Sequence, residues 1–204
     1  MRALAVLVLV ATLSAAALKL LEGYTAERTA SNRLRSLERR VERALVGYQY
    51  DELGLRVDAA PVVVAGAGVT VRLTANVRRA GREVARVFEV HTRRGYNGDL
   101  ALLCAVEDAP DRRLIAVDVL EHHETPGLGD RIEPERTDFL QQFSGLELGH
   151  IRPVDWEPRR RGGRFDAITG ATVTSRAVIR AVLRALETGA ADRRLASSAP
   201  TETK

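Results

Sequence analysis

A chain of 204 residues with 45% apolar residues has material for one domain of ordinary size plus a membrane or linker element. Its 31 basic and 27 acidic residues leave a formal net charge of +4, but the two signs are interspersed and aromatics make up only 4%, which argues against a basic, base-stacking surface for nucleic acid. The single cysteine, Cys104, excludes an intramolecular disulfide and any cysteine-held cluster; within the apolar stretch 100–106 it reads as a buried small hydrophobe.

Met1-Arg2 leads into an uncharged apolar run over residues 3–18, rich in Leu4, Val6, Leu7, Val8, Leu9, Val10 and Leu13. Extended through Leu20 and Leu21, with Lys19 able to snorkel, it reaches the roughly 20 residues of a spanning helix. Ala15-Ala16-Ala17 also resembles a signal-peptide cleavage site. The hydrophobicity runs on past those alanines, so an uncleaved anchor over residues 1–24 is the expectation. Either way the following domain is exported or membrane-tethered. Lys19, Arg28, Arg33 and Arg35 after the run, against Arg2 before it, lean mildly toward a cytoplasmic domain, a weak signal because long domains translocate regardless of such charges.

Residues 25–48 carry a helical pattern through Leu34, Leu37, Val41, Ala44, Leu45 and Tyr48, with charged residues between them. Strands are predicted over 57–65 and 69–77, split by Gly66-Ala67-Gly68. In the second, Val69, Val71, Leu73, Ala75 and Val77 alternate onto one face. Ala80-Gly81 is a hairpin turn into a strand over 82–90. The loop Gly95-Tyr96-Asn97-Gly98-Asp99 opens a strand over 100–107, and a further strand follows over 114–120. A loop, Glu121 to Asp130, comes next, then a short helix over 137–143 and a polar stretch over 150–164. Val178, Ile179, Val182, Leu183 and Leu186 give one helical face that Thr188-Gly189 closes, and residues 190–204 read as a disordered tail. Consecutive short strands bracketed by helices predict an α/β (α+β) domain over residues 25–189. Its sheet is mostly antiparallel, with the helices packed on it.

Adjacent residues on a strand point to opposite faces, so His122 and His123 do not share a metal, and neither makes a zinc spacing with His91 or His150. Glu121 and Glu124 have no second catalytic constellation beside them, and no serine sits in a Gly-x-Ser-x-Gly setting. Gly66-x-Gly68 lacks the third glycine and the helix of a dinucleotide fingerprint.

The chemistry concentrates at Asp166-Ala167-Ile168-Thr169-Gly170-Ala171-Thr172, followed by Val173-Thr174-Ser175 and the last helix. This is a turn feeding a helix N-terminus, a place that favours an anion because unpaired N–H groups and the helix dipole point at it. Thr169, Thr172, Thr174 and Ser175 all offer hydroxyls there. Spacing alone does not choose among them, and an N-cap threonine in a glycine turn would look the same.

Asp-x-x-Ser/Thr-Gly-Ala-Ser/Thr resembles the flavinylation motif of bacterial FMN-binding domains. In those domains an FAD-dependent flavin transferase joins FMN through its phosphate to the last hydroxyl. Gly95-Tyr96-x-Gly98, a strand, Glu124-Thr125-Pro126-Gly127-Leu128-Gly129 and Thr169-Gly170-Ala171-Thr172 occur here in that order. The set resembles the G subunit of the Rnf (Rsx) electron-transport complex, and more distantly the C subunit of the sodium-translocating NADH:quinone oxidoreductase. The similarity spans nearly the whole chain. It departs in Thr169, where the family usually has Ser, and at position 97; neither is the acceptor.

The resemblance implies covalent FMN on Thr172, with Asp166 serving the transferase's recognition or activation of the acceptor. Thr169 would shape the turn, and Thr174 and Ser175 would solvate the phosphate. Thr125, Leu128 and Ile168 are expected against the flavin ring, with Gly127, Gly129, Gly170 and Ala171 letting backbone approach and Tyr96 at the ring edge; Glu124 belongs to the same loop. It further implies a one-electron carrier in an inner-membrane complex that links ferredoxin and NAD to ion transport, with the domain periplasmic. A membrane-anchored binding or assembly domain without flavin is the alternative.

Overall fold

The structure, a computed structural model, describes residues 2–56, 60–64 and 68–197. It divides into two compact units, Met1–Arg39 and Arg40–Lys204. The first consists of most of helix α1 (Arg2–Ala44). Leu7, Val10, Leu13, Leu18 and Leu20 are exposed on it. Among the described residues no helix is long and apolar enough to cross a membrane, and the side chains of residues 2–6, 8–9 and 21–23, which belong to the expected anchor, lie outside the described ones. The helical pattern expected from residue 25 is therefore the second half of a longer helix that ends at Ala44.

The second unit is built on one antiparallel sheet. Its strands are β1 (Glu52–Leu55), β2 (Val62–Val64), β3 (Val69–Arg79), β4 (Arg82–Thr92), β5 (Leu100–Glu107) and β6 (Leu114–His122), in the order β1-β3-β4-β5-β6 with β2 also on β3. β1 escaped the sequence reading because four residues with a glycine among them show too little alternation. Of the strand expected over 57–65, only Val62–Val64 is described as strand, and residues 57–59, 65 and the loop residues 66–67 lie outside the described ones. The β3–β4 hairpin turns at Ala80-Gly81, both at positive φ (50° and 74°), the sense that matches strand twist. Asp51 Oδ2 accepts the Ala80 N–H at 2.5 Å and holds that turn.

One expectation about β3 is corrected. The register jumps from Leu73↔Phe88 to Ala75↔Val87, so Thr74 is an extra residue. A bulge of one residue inverts the parity of all that follows. Val69, Val71 and Leu73 face the main core with Phe88 and Val90, whereas Ala75 and Val77 lie outside that cluster although fully buried. The sheet thus has two covered faces, and β5 is buried through seven of its eight residues. Small side chains dominate the second face (Ala75, Ala85, Ala101, Ala105), which is closed by buried Val41 and Leu45. Arg40 Nη1 donates to Val119 O at 2.6 Å and Tyr48 Oη to Val84 O at 3.0 Å, securing that layer.

The first face is covered by α2 (Thr172–Ser197). Ala177, Val178, Ala181, Val182, Ala185 and Leu186 form its buried stripe. The helix does not stop at Thr188-Gly189 as its sequence suggests. A Cβ on Gly189 would lie 3.3 Å from the Phe88 ring, so this glycine is a contact point, and the helix continues to Ser197. Residues 190–197 of the expected tail are therefore helical; residues 198–204 lie outside the described ones. Between β6 and α2 the chain winds through short 3-10 turns, and the short helix expected over 137–143 is the 3-10 helix Asp138–Phe143. Phe139, Phe143, Phe165 and Trp156 stack through this wrap at centroid distances of 5.7, 5.3 and 4.9 Å. Cys104 is fully buried, and burial pushes its thiol up to about 12.

Candidate functional site

The structure joins the three sequence motifs through one buried side chain. Glu124, 6% exposed, follows β6. Its Oε1 accepts the Tyr96 N–H at 2.8 Å, and its Oε2 accepts the Thr174 hydroxyl, also at 2.8 Å. A buried carboxyl needs such partners, because desolvation otherwise costs several kcal/mol. It also needs room. A Cβ on Gly95 would fall 2.5 Å from Oε1, and one on Gly129 would collide with Oε2. The two glycines in the first and second motifs therefore make space for the carboxyl. The Glu124 N–H donates to His122 Nδ1 at 3.2 Å, which leaves the ring hydrogen on Nε2, 2.9 Å from Glu133 Oε1. That hydrogen bond and a second from Arg136 hold Glu133 below the usual carboxylate range. Asn97 Nδ2 donates to Thr125 Oγ1 at 3.0 Å, and the Thr125 carbonyl accepts from the N–H groups of Leu128 and Gly129, each at 3.1 Å.

The third motif is a tight turn. Ala171 N–H reaches Ile168 O at 3.0 Å, and Gly170 between them has φ +83°, a position that a side chain would strain. Leu128 lies over it, 3.2 Å from where a Gly170 Cβ would be. Ser175 Oγ accepts the Ile168 N–H at 3.0 Å and donates to Ala171 O at 2.9 Å. Thr174 and Ser175 are both fully buried. Their hydroxyls are engaged in holding the loops and the turn, so the expectation that they solvate a phosphate meets side chains already committed elsewhere.

The other predicted residues divide by exposure. Ile168 and Ala171 are buried; Thr169 and Gly170 are exposed. Asp166 is exposed and paired with Arg159 Nε at 2.8 Å, while its N–H donates to Gln142 Oε1. Tyr96 is 70% and Leu128 48% exposed; Leu128 lies next to the turn, and Gly127 before it has φ +78°. Thr172, the first residue of α2, is half-buried.

Thr172 opens on a cavity of about 340 Å³ that sequence reasoning did not anticipate. Val69, Val173 and Ala177 line it together with five arginines, Arg94, Arg161, Arg176, Arg180 and Arg184. Three of these recur every fourth residue along α2 and so share one face. That spacing was available in the sequence but was not singled out. Glu157 accepts from Arg176 Nε at 2.7 Å and Nη2 at 2.8 Å, and from Arg180. Arg184 pairs with Glu187. The Arg176 hydrogen bonds first, then Arg180, pull the Glu157 carboxyl from 4.5 down to about 2 against a desolvation that opposes them. No residue of the first or second motif lines this cavity. A second cavity, about 580 Å³, contains His91, Glu121 and His123 but none of the motif residues gathered at Glu124.

A half-buried hydroxyl beside a guanidinium-lined space is a donor set suited to a phosphate ester. Residues 95–187 match the family described as FMN-binding domain. That span opens on Gly95, closes on the Glu187 that pairs with Arg184, and contains all three motifs. The chain is also similar to the G subunit of an ion-translocating oxidoreductase complex from Stutzerimonas stutzeri, 43% identical over 54% of this chain and 47% of that one. It is similar also to the corresponding G subunits of Cereibacter sphaeroides (44% identical; 53% and 48%) and Pectobacterium atrosepticum (41%; 52% and 50%). The chain spans about half the length of the curated relatives it matches. Among solved structures, that of Shewanella oneidensis NqrC aligns with a TM-score of 0.45 and 20% identity, over 74% of this chain and 75% of that one.

Two outcomes test this geometry. Glu124→Ala strands two donors, one of them on a fully buried side chain, and is expected to lower unfolding stability by about 3 kcal/mol, with Glu124→Gln costing about 1 because an acceptor remains; urea unfolding measures both. A loss below about 1 kcal/mol for the alanine variant would show that the loops meet without the carboxyl. Glu157 has a folded pKa below its ordinary value, so its stabilisation is complete above pH 4.5 and disappears as pH falls toward 2. The shift alone would convert to about 3 kcal/mol, and the partly exposed arginines reduce that to about 2. Unfolding free energies of wild type and Glu157→Gln should therefore converge between pH 4.5 and 2, and parallel curves would refute the linkage.

Proposed function

We propose that this chain carries FMN joined through its phosphate to Thr172 and serves as an electron-transfer subunit of a membrane-bound, ion-translocating oxidoreductase complex. The observation that carries the reading is the fate of the four hydroxyls in the motif. Thr174 and Ser175 are buried and hydrogen-bonded inward, Thr169 stands at the exposed tip of the turn, and Thr172 alone of the four borders the arginine-lined cavity. The match of residues 95–187 to the FMN-binding domain family and the similarity to the G subunits of ion-translocating complexes support the same conclusion.

FMN on such a chain supplies one-electron redox chemistry, and the protein fixes its position and surroundings. Thr172 is the attachment point and Gly170 gives the turn its hand. Leu128 offers surface beside the turn, and Tyr96 and Thr125 belong to the loops that Glu124 joins to it. Asp166, the exposed first residue of the motif, would serve recognition by the FAD-dependent flavin transferase that would modify the chain. Electrons would pass between ferredoxin-linked and NAD-linked partners within the complex.

Co-expression with a flavin transferase, followed by acid precipitation and peptide mass spectrometry, tests the assignment. The pellet should stay yellow, with the FMN phosphate mass on Thr172. Thr172→Ala should be folded and colourless, since loss of a terminal helix hydroxyl costs only about 1 kcal/mol. Thr172→Ser should retain flavin. Covalent flavin persisting in Thr172→Ala, or mass on Thr169, refutes the site. A folded wild-type protein that never acquires flavin favours a flavin-free assembly domain.

We also propose that α1 anchors the chain in the inner membrane with the domain in the periplasm. Support comes from the uncharged run over 3–18 and the exposed Leu7, Val10, Leu13, Leu18 and Leu20, an apolar surface that lipid accepts better than water. Protease added to spheroplasts should digest the domain, and its protection would reverse the orientation.

A further inference from the structure

We infer that the arginine-lined cavity is the anion site for the phosphate of the flavin, with Arg161 as its mobile clamp. This rests on the proposed attachment to Thr172 and adds the counter-charge that attachment requires. A phosphodiester at Thr172 carries a negative charge. The hydroxyls expected to solvate it, Thr174 and Ser175, are buried and already bonded to Glu124, Ala171 and Ile168. The space Thr172 does border is walled by five guanidinium groups. Planar guanidinium forks match phosphate oxygens two at a time and keep their charge at any working pH.

The five are not equivalent. Glu157 fixes Arg176 and Arg180, and Glu187 pairs with Arg184. Among the described residues the Arg161 guanidinium has neither an ion-pair nor a hydrogen-bond partner, and it stands exposed at the end of the short 3-10 turn Arg159–Arg161. Val173 and Ala177 line the same cavity, so the site joins a charged wall to an apolar one. The ligand class is a phosphate monoester or diester attached to a flat apolar body.

The test uses the full chain as Thr172→Ala, which cannot form the ester, and compares binding of free FMN with riboflavin by fluorescence titration at low and high salt. FMN should bind about tenfold more tightly than riboflavin, the ratio expected for one charge-assisted contact. Inorganic phosphate should compete with FMN and not with riboflavin, and high salt should erase the preference. Arg161→Gln should bring the ratio to within about twofold, with Arg161→Lys intermediate because the charge remains without the fork. Arg82→Gln, at the far end of β4 from Arg94, removes the same charge outside the cavity and should keep the full ratio. Equal affinity for the two flavins, a preference unchanged by Arg161→Gln, or an equal loss in Arg82→Gln overturns the inference. Failure of the attachment reading shows separately, as absence of covalent flavin on the wild-type chain while the FMN preference of Thr172→Ala persists.

Discussion

A carboxyl sealed inside a protein dictates the placement of everything near it, and Glu124 holds that position here. Its two oxygens bind a backbone N–H 28 residues earlier and a hydroxyl 50 residues later. Neither partner can move away without leaving a buried polar group unmet, so the Gly95–Gly98 loop, the Glu124–Gly129 loop and the start of α2 are fixed as one unit. Glycine at 95 and 129 is a spatial requirement of that same carboxyl. Three motifs separated along the sequence are thus parts of a single interlock.

The interlock divides the hydroxyls of the motif into those that hold and those that remain available. Thr174 faces inward to Glu124, and Ser175 clasps the turn from both sides by accepting from Ile168 and donating to Ala171. With these two fixed, the first turn of α2 cannot rotate. Thr172 is presented at a constant height beside the cavity, whereas Thr169 occupies the exposed part of a turn whose shape depends on Gly170. An enzyme that joins flavin to Thr172, as proposed, would meet its half-buried acceptor on a rigid support.

The sequence was informative where periodicity or motif order carried the signal. β3 and β5 begin where alternation and the preceding turns place them. It misled where one residue changes the geometry. The extra Thr74 turns Ala75 and Val77 to the second face, which a simple alternation count cannot reveal. Gly189 reads as a helix stop but serves as the contact for Phe88. The wrap between β6 and α2 has no period of 2 or 3.6, because its 3-10 turns are too short to repeat. Its core is the aromatic stack of Phe139, Phe143, Trp156 and Phe165, contacts that join residues up to 22 apart along the chain. The roles of Thr174 and Ser175 could not be read from hydroxyls that look alike in sequence, since burial is what separates them.

That wrap also explains how the cavity keeps its charge ordered. Trp156 and Phe165, stacked and almost fully buried, flank Glu157 and lead the chain past Arg161 and back toward the motif. Glu157 therefore reaches α2 from a rigid base and holds Arg176 through two parallel hydrogen bonds, with Arg180 beside it. Free arginines lose about 2 kcal/mol of rotamer freedom when they grip an anion. Two of the guanidinium groups have lost it on folding, with the order supplied by a carboxylate that is neutralised only near pH 2. What remains to be ordered when an anion arrives is the exposed side chain of Arg161. A site built this way pairs a preset field with one movable contact, which favours a ligand tethered at Thr172 over ions that merely pass.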